Sequence, residues 1–162
     1  MDISNLLSPL LLGLVVSLVI NLAMFAVAFR LQSDKLTDIS YAATFATIAV
    51  WSFVMSERSA FHLALLIMVS VWAFRLGSFL LYRVIKNGKD ARFDGMRESF
   101  LGFGKFWLAQ AITVWVVMIP SIFAFEASAE WTWLSTLGLV VWLIGVVCET
   151  IADYQKQVFS SN

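Results

Sequence analysis

The chain has 162 residues, of which 60% are hydrophobic and only 14% are charged, and its formal net charge is zero. Soluble domains usually carry about 25% charged residues, so this composition excludes an ordinary soluble globular domain. The balanced charge also gives no indication of a nucleic-acid partner, and we predict none. We predict instead an integral membrane protein whose apolar surface is solvated by lipid.

Five apolar segments are long enough to cross a bilayer, which takes about 20 residues of helix. One longer polar connection, residues 83–105, separates the third segment from the fourth, and no repeat or linker divides the chain. We therefore predict a single all-α domain over residues 1–162, a polytopic transmembrane helix bundle. The predicted helices lie near residues 6–29, 36–55, 60–82, 106–125 and 131–152.

The basic residues indicate how the bundle is oriented. With five spans, Arg58 lies on one side and Arg75 lies within a span, while all other Lys and Arg residues fall on the opposite side. The positive-inside rule makes that opposite side cytoplasmic. The N-terminus is then outside and the C-terminus is cytoplasmic, and we predict a multi-pass membrane protein in this orientation. The basic residues of the cytoplasmic side are Arg30, Lys35, Arg83, Lys86, Lys89, Arg92, Arg97, Lys105 and Lys156.

Ionisable side chains inside a span are costly, so each is a functional hypothesis. Arg75 and Glu149 are both predicted to lie about 10–12 Å from the cytoplasmic ends of their helices, which favours an ion pair between them. Glu149, Asp153 and Lys156 are spaced by four and three residues, so they share one face of the fifth helix. The alternative is a buried pair that only stabilises helix packing.

Three more polar residues fall in the cytoplasmic half of the spans, which indicates a polar cavity open to the cytoplasm. Asn21 and Gln110 have the alternative role of hydrogen bonding between helices. Asp38 has the alternative role of an acidic residue favoured at a helix N-terminus. His62, at the outer end of the third helix, is predicted to lie at the membrane interface.

The polar connection before the fourth span contains both signs of charge. Lys89, Arg92 and Arg97 are candidates for an anion-binding rim that contacts phosphates. The alternative is a solvated loop beside anionic lipid headgroups. The sequence contains no Walker loop, no dinucleotide-binding glycine fingerprint and no metal-ligand cluster.

Five blocks of sequence, with Arg83 after the second, resemble a known family. They are SDKLTD at 33–38, WAFRLG at 72–77, GKDARFD at 88–94, FWLAQA at 106–111 and ETIADYQK at 149–156. The chain resembles bacterial membrane proteins of unknown function, of the DUF1295 type, that are grouped with the steroid 5-alpha-reductase family. The blocks occur in the expected order and span most of the chain.

The resemblance implies a membrane reductase with a cytoplasm-facing NADPH site. Such enzymes reduce a carbon–carbon double bond conjugated to a carbonyl in steroid-like or other lipid substrates. The resemblance implies cofactor contacts for Glu149 and Asp153, with Lys156 and Arg92 as basic candidates, and catalytic positions for Arg75 and Trp72. The family usually has a tyrosine where this sequence has Trp72.

The resemblance also implies about seven spans and a further C-terminal motif, where this sequence has five spans. We therefore expect a reductase-like domain that is incomplete for catalysis, as a fragment, a truncated paralogue or one part of a split protein. The alternative is a non-enzymatic helix bundle that binds a lipid, a membrane partner or a second copy of itself. A small transporter is disfavoured because the sequence has no inverted repeat.

Overall fold

The computed structural model describes residues 3–87 and 93–161. These residues form five α-helices and no strand, and all five helices are long and apolar enough to cross a membrane. The predicted all-α fold class with five spans is confirmed. The helices are α1 (Ile3–Leu31), α2 (Lys35–Met55), α3 (Ala60–Asn87), α4 (Phe100–Glu126) and α5 (Trp133–Ser161).

Several helices extend beyond the apolar segments of the sequence. The third helix continues to Asn87 and α4 begins at Phe100, so residues 83–87 and 100–105 of the predicted connection are helical. Ser99 caps α4, because its hydroxyl oxygen accepts a hydrogen bond from the Gly102 N–H at 3.1 Å. The pattern of apolar residues indicates which part of a helix lies in the hydrocarbon core of the bilayer. Capping and backbone hydrogen bonding determine where the helix itself ends.

Contacts along the chain establish the directions of the helices. The Trp115 indole N–H donates to the Leu10 carbonyl at 2.9 Å, and the Phe25 and Phe103 rings lie 5.9 Å apart, so α1 and α4 are antiparallel. The rings of Phe45 and Trp72, 5.0 Å apart, belong to the antiparallel pair α2 and α3.

The apolar core lies among the first four helices. Buried residues of α2, α3 and α4 form one cluster, and buried residues of α1 and α4 form a second with the connection before α4. The fifth helix stands apart, since none of its described side chains is buried and it packs mainly on α3. Its position therefore depends on few contacts.

The backbones of α2 and α3 approach closely at Gly77. A Cβ atom at Gly77 would lie 2.6 Å from the Ala42 Cβ, so any larger residue must push the helices apart. Small residues commonly permit such close contacts between membrane helices. We expect Gly77→Ala to destabilise the fold by about 1–3 kcal/mol, the usual cost of overpacking, measured as thermal unfolding in detergent.

Gly138 supplies the matched control for this substitution. It also lies within a spanning helix, but a Cβ atom there would meet nothing within 4 Å. Gly138→Ala should leave stability unchanged or raise it slightly, because alanine favours the helix by about 1 kcal/mol. Equal effects of the two substitutions would contradict the close approach at Gly77.

Candidate functional site

Four polar side chains of α3 and α5 meet inside the membrane-spanning segments. The Arg75 guanidinium contacts both carboxylates of α5: Nη2 pairs with Glu149 Oε1, and Nη1 lies 2.8 Å from Asp153 Oδ2. The Trp72 indole N–H donates to Glu149 Oε2 at 3.1 Å. We call these residues the α3–α5 cluster. Because Trp72 and Arg75 contact successive turns of α5 in the same order, the two helices are parallel.

Helix periodicity brings these side chains to one seam. Trp72 and Arg75 are three residues apart on α3, and Glu149 and Asp153 are four apart on α5, so each pair shares a face. The ion pair expected between Arg75 and Glu149 is present. The sequence spacing indicated which residues share a face, and the packing of α5 on α3 brought the two faces together.

The charges of the cluster are not balanced. One guanidinium faces two carboxylates, which leaves one excess negative charge when both carboxylates are ionised. The Arg75 side chain is 17% exposed, whereas those of Glu149 and Asp153 are 38% and 25% exposed. The arginine is thus enclosed, and the carboxylates remain accessible to a molecule that approaches the open side of α5.

Aromatic side chains pack against Trp72, the residue of the cluster that faces the protein core. The Trp72 ring meets the Phe45 ring edge-on at 5.0 Å, and Phe45 meets Tyr41 in the same way at 5.0 Å. Phe45 is fully buried in the core. The cluster is therefore anchored to the core through Trp72 of α3.

Of the two basic residues predicted to bind a cofactor, Lys156 is among the described residues and Arg92 is not. Lys156 is exposed and lies one turn beyond Asp153 on the same face of α5. Arg92 and its neighbour Lys89 lie outside the described residues. Of the two predicted basic residues, Lys156 is the one within the described part of the chain, and it shares a face of α5 with the cluster.

Arg97 does not form the anion-binding rim considered from the sequence. Its side chain is largely buried, with Nε 3.3 Å from Asp34 Oδ1 and Nη1 3.1 Å from Asp94 Oδ1. Asp34 directly precedes α2, so the ion pair ties the α3–α4 connection to the start of that helix. The predicted anion-binding role is wrong for Arg97, because the carboxylate of Asp34, 63 positions earlier, pairs with its guanidinium.

Gln110 and Asn21 join three helices in a buried network. The Gln110 amide nitrogen lies 2.9 Å from Asn21 Oδ1, 3.1 Å from the Thr37 carbonyl and 2.9 Å from Ser40 Oγ. The Asn21 amide nitrogen lies 3.2 Å from Thr44 Oγ1. The alternative role of hydrogen bonding between helices holds for both residues, and the network binds α1, α2 and α4 together.

His62 is buried and does not lie at an open interface. It has no exposed surface, and its ring stacks on Phe125 at 6.1 Å. His62 lies in the first turn of α3, at the end of the span as predicted, but its side chain is enclosed by protein. The spacing Ser59-x-x-His62 was the available signal, because a serine followed three residues later by a hydrogen-bond acceptor is the pattern of a helix capping box.

A family model for proteins of unknown function, DUF1295, matches residues 24–162. The chain belongs to the DUF1295 family. The match includes all four residues of the α3–α5 cluster and Gln110 of the buried network, whereas Asn21 lies before its first residue. For this DUF1295 protein, no curated protein and no solved structure gives a significant match. Among the described residues, no group of three or more His, Cys, Asp or Glu is placed to hold a metal ion.

Proposed function

We propose that this DUF1295 protein is a reductase-type domain of the bacterial inner membrane, with its N-terminus outside and its C-terminus cytoplasmic. It would contribute to NADPH-dependent reduction of a conjugated carbon–carbon double bond in a steroid-like or other lipid substrate. The convergence of Trp72, Arg75, Glu149 and Asp153 carries this proposal. These residues come from segments 77 and 78 positions apart, and the resemblance to reductases implies that they lie at the cofactor and substrate.

The cluster has groups that fit a dinucleotide. Carboxylate oxygens accept hydrogen bonds from ribose hydroxyls or a carboxamide, and Glu149 and Asp153 are both accessible. Lys156 adds a positive charge one turn away, as a phosphate requires. Bound NADPH would supply the hydride in this chemistry.

Within this proposal, Arg75 and Trp72 are positioning residues. Both terminal nitrogens of Arg75 already contact carboxylates, so the guanidinium sets their separation and orientation. The Trp72 N–H is likewise engaged by Glu149, and it orients that carboxylate instead of donating a proton to a substrate. An apolar substrate would reach the cluster from the bilayer, because α5 leaves most of its own surface uncovered.

Binding of NADPH to the purified protein in detergent tests the proposal. Isothermal titration should show saturable binding, and Glu149→Gln should weaken it about tenfold or more, because hydrogen bonds to a charged partner are worth about 1.5–3 kcal/mol. Glu126→Gln is the matched control, since Glu126 is an exposed carboxylate at the opposite end of the bundle. Absence of saturable binding at millimolar NADPH would overturn the proposal.

A second candidate function is a non-enzymatic bundle that binds the transmembrane helix of a partner. The isolation of α5 favours it, because large apolar side chains along this helix are uncovered and a Cβ at Gly138 or Gly145 would meet nothing within 4 Å. The excess negative charge of the α3–α5 cluster suits a partner helix that carries a basic residue at the same depth. In that case NADPH would not raise the unfolding temperature of the protein.

A further inference from the structure

One side of α5 meets α3, and the side next to it is uncovered. The half-buried residues of α5 recur every three or four positions from Ser135 to Gln157, and they include Glu149 and Asp153, which contact α3. The other residues of α5 whose burial is described are all exposed. The helix therefore has a broad face that no other described part of the chain covers.

Small residues recur on this uncovered face at heptad spacing. Gly138, Gly145 and Ala152 are seven residues apart in turn, and all three are exposed. A Cβ atom at Gly138 or Gly145 would meet nothing within 4 Å. We call these three residues the glycine face of α5. Because a seven-residue period keeps them on one side and small residues allow backbones to approach closely in membranes, a second helix fits along this face.

Glu149 lies at the border between the glycine face and α3. It follows Gly145 by four residues and precedes Ala152 by three, so it is next to both on the helix surface. Its side chain remains 38% exposed, although Arg75 and Trp72 contact its two oxygens. Each carboxylate oxygen has two lone pairs, so both can accept a further hydrogen bond from the open side.

The charge of the α3–α5 cluster favours a basic occupant of this face. Among the described residues, Arg75 is the one cation that pairs with Glu149 and Asp153, so one negative charge is left without a counter-charge when both carboxylates are ionised. Charged groups within a bilayer are costly, and they are usually paired with one another. A lysine or arginine of a neighbouring helix at this depth would balance the charge.

A second copy of the chain does not supply that cation. Copies that insert in the same orientation have equal residues at equal depth, so two copies that met symmetrically through the glycine face would bring one Glu149 next to the other. Like charges at this depth repel each other more strongly than in water. An anionic lipid headgroup is disfavoured for the same reason. The occupant that fits is a helix of another protein.

We propose that the glycine face of α5 binds a single transmembrane helix of another protein, which carries one lysine or arginine at the depth of Glu149. The small residues admit the backbone of that helix, and its basic side chain reaches the exposed part of the Glu149 carboxylate. Helices that pack at heptad spacing cross at about 20°, which sets the expected crossing angle. This inference rests on the second candidate function and specifies the face, the depth and the charge of the partner.

A co-expressed model helix tests the inference in the membrane. It has about 22 leucine and alanine residues, a basic cytoplasmic flank that fixes its orientation, and one lysine about seven residues from its cytoplasmic end. Energy transfer between fluorescent proteins fused to the whole chain and to the model helix measures their association. The apparent affinity should be about tenfold higher than for the same helix with leucine in place of lysine, as one hydrogen bond between charged groups provides. Moving the lysine to the outer half should remove this gain.

Variants of α5 locate the contact. Gly145→Phe fills the glycine face and should abolish the gain, whereas Val147→Phe, at an exposed position on the opposite side of α5, should leave it unchanged. Glu149→Gln should also abolish it. Thermal unfolding checks that each variant folds, and Ala152→Phe replaces Gly145→Phe if the latter is unstable.

Three results would overturn the inference. The first is equal association of the lysine and leucine helices. The second is a gain that survives Gly145→Phe but is lost in Glu149→Gln, which would keep the partner-binding function and reject this face. The third is energy transfer between two copies of the chain that Gly145→Phe removes, which would assign the face to self-association. Titration with NADPH reads the reductase function separately.

Discussion

Arg75→Leu is expected to destabilise the protein by about 2–4 kcal/mol, because it leaves two carboxylates next to each other without a counter-charge. Breaking a buried ion pair usually costs about 3–5 kcal/mol, and the partial exposure of Glu149 and Asp153 lowers the expected figure. The unfolding temperature in detergent should fall by about 5–10 °C. Because the cluster is the main polar link between α3 and α5, the loss should be accompanied by greater exposure of α5.

Neutralising the carboxylates should recover part of this stability. In Arg75→Leu combined with Glu149→Gln and Asp153→Asn, no unpaired charge remains, so the combined variant should unfold at a higher temperature than Arg75→Leu alone. Arg58→Leu is the matched control, since Arg58 is exposed and its guanidinium donates only to the Val54 carbonyl. A fall of similar size in the control would show that the cluster has no special role in stability.

The same measurements distinguish the two candidate functions. A reductase-type site predicts that NADPH raises the unfolding temperature of the unaltered protein, because a ligand that binds only the folded state stabilises it. Arg75→Leu should reduce that rise, since the carboxylates lose the group that orients them. A partner-binding bundle predicts the same destabilisation by Arg75→Leu without any rise from NADPH.

Gln110→Met should cost about 1–3 kcal/mol, although methionine has nearly the same length and shape. The amide nitrogen of Gln110 serves acceptors on α1 and α2, at Asn21 Oδ1, the Thr37 carbonyl and Ser40 Oγ. Removing it leaves Asn21 Oδ1 buried without its Gln110 donor, and unsatisfied buried groups carry the full cost of desolvation. Thermal unfolding in detergent measures the effect.

Gln155→Met provides the control for this substitution. Gln155 is exposed on α5, so its replacement should change stability by less than about 0.5 kcal/mol. Asn21→Leu combined with Gln110→Met should cost less than the sum of the single changes, because both partners of one hydrogen bond are removed together. Strictly additive losses would contradict the network.

Much of the fold could be predicted from composition and periodicity. A helix that crosses lipid must satisfy its backbone internally and present apolar side chains, so each span is evident within a single stretch of sequence. The same reasoning located Arg75 and Glu149 at similar depths, because depth follows from residue count and helical rise. Their ion pair was therefore predictable, as was the shared face of Glu149 and Asp153.

The contacts of other polar residues could not be predicted, because their partners are distant in the sequence. Arg97 was predicted to be available for an anion, because the sequence around it does not show that Asp34 Oδ1 lies 3.3 Å from its Nε. The Trp72 hydrogen bond to Glu149 likewise follows only from the approach of α3 and α5. Patterning within a helix indicates which residues share a face, but it does not state which helix that face meets.

The sequence by itself determined that this is a membrane protein of five spans with costly charges on α3 and α5, since hydropathy and spacing are local properties. Only the tertiary structure decided that α5 packs mainly on α3, that His62 is enclosed between two helix ends, and that Arg75 contacts two carboxylates. These features are pairings between distant segments. Their energies depend on distance and burial, which exist only once the helices have packed.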